Sequence, residues 1–189
     1  ATLEDAGRLR IPFTTGVLIG IGETPAELAE SLQAILEIHK RYGHIQEVII
    51  QPFKAKPGTP MAGHPEPSIH RVMAAIASAS LLFLGDLPVQ TPPNLWEADR
   101  LSMAVEAGID DWGGVSPVTP DYVNPEKPWH HVSLLRRAAE AWGMKLRVRL
   151  PIYPRYLQAE GFLAEAFREA VKKLTDESGY VRGEILGEA

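Results

Sequence analysis

The amino-acid sequence predicts a parallel α/β fold made of four successive strand-then-helix units. Apolar runs of strand length recur along the chain, each is followed by a helical pattern of apolar residues, and the connections are rich in Gly and Pro. This alternation is typical of a parallel sheet covered by helices. Both an open doubly wound sheet and a (βα)8 barrel show it, and the periodicity alone does not choose between them.

Composition narrows the class of protein. The 189 residues are 45% apolar and 23% charged, which is typical of a soluble globular protein, and we expect a cytoplasmic location. A net charge of −5 argues against nucleic acid as a partner, and no apolar run is long enough for a membrane span. The sequence contains no cysteine, so the chain has no disulfide and no thiolate ligand for a metal or an iron–sulfur cluster.

The first unit has the clearest local signals. Residues 13–21 form an apolar run, and Thr24, Pro25 and Glu27 predict a helix start with a capping box. Gly43 is expected to end this helix. Residues 2–7 resemble the last turn of a helix capped by Gly7, from which we expect a preceding segment.

The other units follow at similar spacing. The predicted strands are residues 47–53, 87–91 and 109–115, and the predicted helices are residues 69–83, 95–107, 132–142 and 159–174.

Reactive groups in parallel α/β folds gather where the strands end. Gly20 and Gly22 follow the first strand and allow close approach of the backbone to a ligand, although a simple tight turn explains them equally well. Gln51, Gln90 and Asn94 follow the next two strands and suit a heterocycle with carbonyl and N–H edges. Helix capping and surface glutamines are the equally plausible alternative.

Three further groups are weaker candidates. Lys54, Lys56 and His64 lie in the long loop after the second strand and could bind an anion, but a solvated loop is the simpler interpretation. Of Asp110 and Asp111, only one can point inward, because adjacent strand residues face opposite ways. That carboxylate is a candidate general base or a partner for a ribityl hydroxyl group, and turn capping is its alternative.

Three motifs resemble one known family. The segment TTGVLIGIGET at residues 14–24 is similar to the fifth strand and turn of radical S-adenosylmethionine barrels related to biotin synthase. Residues 44–61 are similar to the sixth strand of enzymes that make deazaflavin precursors. Residues 111–126, which include Ser116 and the Ser-Pro-Val-Thr-Pro run, resemble the strand-eight loop of the 7,8-didemethyl-8-hydroxy-5-deazariboflavin synthase family, also called FO synthases.

The resemblance implies the C-terminal half of a (βα)8 TIM barrel, with strands 5–8 of radical S-adenosylmethionine type over residues 1–156 and a helix and tail over residues 157–189. It implies S-adenosyl-L-methionine as cofactor beside a [4Fe-4S] cluster. Because this chain lacks the cysteines that bind such a cluster, we expect it to be inactive alone. The implied cofactor contacts are Gly16, Leu18, Gly20, Gly22 and Glu23. The implied substrate contacts are Gln51, Gln90, Asn94, Asp111 and Ser116.

The family's reaction is a radical cyclisation of a tyrosine/5-amino-6-(D-ribitylamino)uracil adduct with loss of ammonia, a lyase reaction of deazaflavin coenzyme biosynthesis. The second FO synthase subunit is the implied functional partner. A non-catalytic half-barrel module that binds a nucleoside or only assembles is the alternative. Four strands cannot close a barrel, so we also expect self-association through the open sheet edges.

Overall fold

The computed structural model describes residues 1–116 and 118–183 as a mixed α/β fold around a small parallel sheet. Three strands are ordered β1-β2-β3, namely β1 (Phe13–Ile19), β2 (Ile45–Pro52) and β3 (Val89–Gln90). The helices are α1 (Thr2–Arg8), α2 (Pro25–Tyr42), α3 (Ile69–Phe83), α4 (Leu101–Glu106), α5 (Val132–Glu140), α6 (Pro154–Gln158) and α7 (Glu165–Leu174).

The two faces of the sheet have different roles. Val48, Ile50 and Val89 are fully buried and pack in the core with apolar residues of α2 and α3. Side chains alternate along a strand, so Thr14, Gly16 and Leu18 of β1 lie on the opposite face with Glu47, Ile49 and Gln51 of β2 and Gln90 of β3. We call this polar surface the inner face.

The predicted start and end of α2 are confirmed. The Thr24 hydroxyl accepts a hydrogen bond from the Glu27 amide at 3.2 Å, and the Glu27 carboxylate accepts one from the Thr24 amide at 2.7 Å. Gly43 ends the helix in the left-handed conformation. In contrast, Gly7 is not a cap, because it lies inside α1, where a Cβ would be 2.5 Å from the Tyr42 ring.

The fourth predicted strand is reduced to a single parallel bridge between Gln90 and Asp111 among the described residues. The amides of Asp110 and Asp111 both donate to the Val89 carbonyl, and Gly113 then takes a φ of +71° that turns the chain away. The structure is compatible with part of a radical S-adenosylmethionine type fold, but its described residues form three strands in place of the four predicted for a half barrel.

Two predicted helices are shorter than expected. Residues 95–107 contain α4 alone, preceded by 3-10 turns at Pro93–Leu95 and Ala98–Arg100, because Trp96 is extended and its indole donates to the Thr91 hydroxyl. The last helix begins at Glu165 rather than residue 159, after Gly161 with a φ of +83°. None of the described residues of α7 is buried, so its apolar stripe does not join the core. Residues 184–189 of the predicted tail lie outside the described residues.

No helix among the described residues is both long and apolar enough to cross a membrane.

Candidate functional site

The turn after β1 is held by its own acidic residue. The Glu23 carboxylate accepts hydrogen bonds from the Gly20 amide at 3.0 Å and from the Ile21 amide at 2.9 Å. Gly20 has a φ of +95°, and a Cβ there would be 2.7 Å from the Pro67 ring. The imidazole of His64 lies 3.0 Å from the Gly20 carbonyl oxygen, so the loop after β2 packs against this turn.

Arg71 of α3 completes the set of partners for Glu23. Its guanidinium donates to the Glu23 side chain and to the Glu23 main-chain carbonyl, each at 3.0 Å. Burial alone would raise the pKa of Glu23, but the hydrogen bonds from Gly20, Arg71 and Ile21 lower it to about 2. Glu23 is therefore ionised at neutral pH and stabilises the turn, with its oxygens bonded to protein donors.

The apolar residues of this turn are accessible. Leu18 is 39% exposed, Ile21 is 45% exposed, and a Cβ added at Gly22 would meet nothing within 4 Å. Gly16, in contrast, packs closely against the backbone of Ile49 in β2. Leu18, Ile21 and Gly22 are thus accessible, and we call these three residues the apolar shelf, whereas Gly16 serves contact between the strands.

A small pocket lies on the same face of the sheet as Leu18. Leu18 pairs in register with Gln51, and both lie on the inner face of the sheet. The pocket has a volume of about 180 Å³, and its lining includes Gln51, Gln90, Trp112, Asp121, Asn124 and Trp129. We call it the amide pocket.

Asp121 is the charged residue of the amide pocket. Its Oδ2 accepts hydrogen bonds from the side-chain amides of Asn94 and Asn124, both at 2.9 Å, and its Oδ1 accepts from the Val123 amide at 2.8 Å. Burial raises the pKa of Asp121, but the amides of Asn124 and Asn94 outweigh this effect and lower it overall. The carboxylate is therefore held ionised and in a fixed orientation.

The structure brings together some of the predicted substrate residues and separates others. Gln51 and Gln90 line the amide pocket, and Asn94 is buried beside it as a partner of Asp121. Ser116 instead caps its own loop, where its hydroxyl accepts from the Thr119 amide at 3.0 Å. Sequence reasoning missed Asp121 as a site residue, although it lies within the loop segment that carried the family resemblance.

Asp111 lies in a second polar centre on the inner face. Arg149 donates from Nε to Asp111 Oδ2 at 2.6 Å and from a terminal nitrogen to Glu47 Oε2 at 2.9 Å. The Tyr153 hydroxyl lies 2.8 Å from Asp111 Oδ2 and 3.1 Å from Glu47 Oε2, and Thr14 donates to Glu47 at 2.8 Å. This carboxylate–arginine centre lines a cavity of about 920 Å³ and was not predicted from the sequence.

Two ion pairs hold the loops that follow the strands, one between two loops and one within a single loop. Lys56 after β2 pairs with Glu126 in the loop after Asp111, and Lys54 contacts Glu66 at 2.7 Å within its own loop. These two lysines are therefore used in contacts between protein groups. Among the described residues, no cluster of three or more His, Cys, Asp or Glu side chains has the geometry of a metal site.

Comparison with known proteins shows which proteins the chain is similar to. It is 51% identical over 180 residues to 7,8-didemethyl-8-hydroxy-5-deazariboflavin synthase of Methanopyrus kandleri, a match that covers 95% of the chain and 53% of that protein. Over nearly its whole length the chain is therefore homologous to 7,8-didemethyl-8-hydroxy-5-deazariboflavin synthases. The synthase of Methanothermobacter thermautotrophicus is 50% identical over 172 residues, covering 91% of the chain and 52% of the relative. No family model matches the sequence.

The chain spans about half the length of these two synthases. A protein of Nocardia farcinica named FO synthase is 52% identical over 157 residues, which are 83% of the chain but 18% of that longer protein. The family resemblance seen in the sequence motifs is therefore confirmed. The turn after β1 (residues 20–24, called the glycine turn below), the apolar shelf and the amide pocket all lie within the part of the chain that matches these synthases.

Proposed function

We propose that this chain forms the C-terminal part of the barrel of an FO synthase, a radical S-adenosylmethionine lyase of deazaflavin coenzyme biosynthesis. The protein at its full natural length would cyclise the tyrosine/5-amino-6-(D-ribitylamino)uracil adduct to 7,8-didemethyl-8-hydroxy-5-deazariboflavin with loss of ammonia. The observation that carries the proposal is the register pairing of Leu18 with Gln51, which sets an open apolar shelf directly beside an amide-lined pocket.

The shelf fits the adenosyl group of S-adenosyl-L-methionine. Leu18 and Ile21 offer accessible apolar surface, and the space at Gly22 is open to a planar base. When bound to a reduced cluster, this cofactor supplies a 5′-deoxyadenosyl radical. Glu23 acts indirectly by holding the turn through its hydrogen bonds with Gly20, Ile21 and Arg71.

The [4Fe-4S] cluster does not fit the residues of this chain. The family's cluster needs thiolate ligands, and the sequence has no cysteine, so another part of the full enzyme must hold it. The role of the present segment is to bind and orient the adenosyl group and the substrate.

The amide pocket suits the substrate's polar groups. Gln51 and Gln90 can donate to carbonyl groups and accept from N–H or hydroxyl groups, and the rings of Trp112 and Trp129 provide flat surfaces. The pocket is smaller than the roughly 300 Å³ or more that encloses a drug-sized ligand, so it receives one end of the substrate. The second FO synthase subunit supplies the adduct in this proposal.

Product formation tests the proposal. The protein at its full natural length is reconstituted anaerobically with iron and sulfide and incubated with S-adenosyl-L-methionine, a reductant and the adduct-forming subunit. We expect the deazaflavin product by fluorescence and mass spectrometry. Leu18→Asp should weaken S-adenosyl-L-methionine binding by about tenfold or more, whereas Leu81→Asp, which changes a leucine 72% exposed on α3, should leave binding unchanged. Absence of product from a fully reconstituted enzyme would exclude this reaction.

The absence of cysteine favours one alternative, a non-catalytic half-barrel module that binds a nucleoside or only assembles. Such a module would bind S-adenosyl-L-methionine or adenosine without product formation, or would self-associate through the open edge of β1. Light scattering of the purified chain, together with the product assay, separates this alternative from the enzyme.

A further inference from the structure

Two side-chain carbonyl oxygens, one from Gln90 in the lining of the amide pocket and one from Asn94 beside it, have no hydrogen-bond partner among the described residues. Gln90 is 6% exposed and Asn94 is 3% exposed, and their carbonyl oxygens are buried without a partner among the described residues. A buried acceptor without a partner is unfavourable, because it has lost its hydrogen bonds to water and gained none in return. Such groups need a hydrogen-bond donor from outside the protein, which a bound ligand can supply.

The charge of the pocket also favours a ligand that donates hydrogen bonds. Asp121 is ionised and oriented by Asn94 and Asn124, and among the described residues that line the pocket there is no Lys or Arg. Two lysines of the neighbouring loops have other partners: Lys56 pairs with Glu126, and Lys127 lies 3.4 Å from Glu97. Asp121 thus gives the pocket a negative charge, and the described lining residues provide no cation to balance it.

The aromatic lining suits a cation as well. The rings of Trp112 and Trp129 border the same pocket as Asp121. Trp129 donates its indole N–H to the Thr119 carbonyl at 3.0 Å, which holds the indole at the edge of the pocket. Tryptophan rings attract organic cations through their π faces, and a carboxylate adds a charge-assisted hydrogen bond.

We propose that the amide pocket binds a primary ammonium group attached to a ring-bearing ligand, with Asp121 as the residue that determines this specificity. This inference rests on the proposed function and deepens it, because it assigns the pocket to the amino end of the substrate. Gln51 and Gln90 complete the set of acceptors around the ammonium group, and Asn94 and Asn124 are positioning residues that act through Asp121.

Two small probes test the assignment by isothermal titration calorimetry with the protein at its full natural length. Tyramine carries the ammonium group, and 4-ethylphenol has the same ring and chain without it. We expect wild-type protein to bind tyramine at least about tenfold more tightly than 4-ethylphenol, as one charge-assisted hydrogen bond provides. Equal affinities, or no binding of tyramine, would overturn the proposal.

Substitutions separate the role of Asp121 from a structural one. Asp121→Asn should reduce the tyramine preference to about one while the affinity for 4-ethylphenol stays the same, and Asp121→Glu should restore part of it. Asp99→Asn, which removes an exposed carboxylate, is the matched control and should keep the preference. If Asp121→Asn retains the wild-type preference, the assignment is wrong.

Gln51→Glu covers the case in which Asp121→Asn does not fold. It adds a second carboxylate to a half-buried wall of the pocket and should increase the tyramine preference several-fold, and an unchanged or lower preference would contradict the proposal. The product assay distinguishes the two proposals. Ammonium preference without deazaflavin formation would refute the reaction alone, and product formation without the preference would refute the ammonium site alone.

Discussion

Arg149 reaches across the inner face of the sheet and holds Asp111 with a hydrogen bond of 2.6 Å from Nε to Oδ2. The same guanidinium lies 4.0 Å above the ring of Tyr153 and also pairs with Glu47 at 2.9 Å. Because Asp111 Oδ1 accepts from the Gly113 amide at 2.6 Å, this centre also orients the turn that packs against Gln90. Arg149, in the segment after α5, therefore helps to position Gln90 in the wall of the amide pocket.

Arg149→Met should destabilise the protein strongly. The change leaves the carboxylates of Glu47 and Asp111 next to each other, with side chains only 8% and 18% exposed and no cation between them. Breaking a buried ion pair costs about 3–5 kcal/mol, and the adjoining cavity favours the lower end of that range. Urea unfolding measures the change, with Arg136→Met on the exposed surface of α5 as the control. A loss similar to that of the control would show that the centre adds little stability.

Gly20→Ala should be the most damaging substitution in the glycine turn. Its φ of +95° disfavours a side chain, and the new Cβ would collide with Pro67, so we expect a loss of about 2–3 kcal/mol. Gly22→Ala has a φ of +113° but open space around it, so it should lose about 1 kcal/mol. Gly63→Ala, without a positive φ or a close neighbour, is the control for thermal unfolding. An order other than Gly20, Gly22, Gly63 would contradict this description of the turn.

Glu23 should contribute stability that depends on pH. Its pKa in the folded protein, about 2, is below the ordinary value of 4.5, so its contribution is fully present above pH 4.5 and is lost as the pH falls toward 2. Wild-type protein should therefore lose more stability over this range than Glu23→Gln does. Chemical unfolding at several pH values measures the difference, and the exposed Glu30→Gln should follow the wild-type curve. Parallel curves for wild type and Glu23→Gln would rule out the effect.

His39 should make the fold sensitive to mild acid. Burial and the nearby positive charge of Arg155 lower the pKa of His39 from 6.5 to about 4. Stability is then present above pH 6.5 and decreases as the pH falls from 6.5 toward 4, because protonation favours the unfolded chain. His39→Gln should reduce the slope of unfolding free energy against pH in this window, while the exposed His70→Gln should keep it. A slope unchanged by His39→Gln would mean that another group titrates there.

The sequence by itself determined the local elements and the family. Thr24, Pro25 and Glu27 predicted the start of α2, and the apolar spacing over residues 69–83 matched α3 at both ends. These features depend on bonds between residues a few positions apart, which spacing encodes directly. The fourth strand and the long final helix were predicted wrongly, because the turns at Gly113 and Gly161 interrupt patterns that are apolar enough to continue.

Only the tertiary structure decided which polar groups meet. Asp111, a predicted substrate contact, pairs with Arg149, which lies 38 residues further along the chain. Glu47 pairs with the same arginine across 102 residues. Asp121, which lines the amide pocket, is held there by a hydrogen bond from Asn94, 27 residues away in the chain. Contacts over such separations depend on the path of the whole chain, which local spacing does not encode.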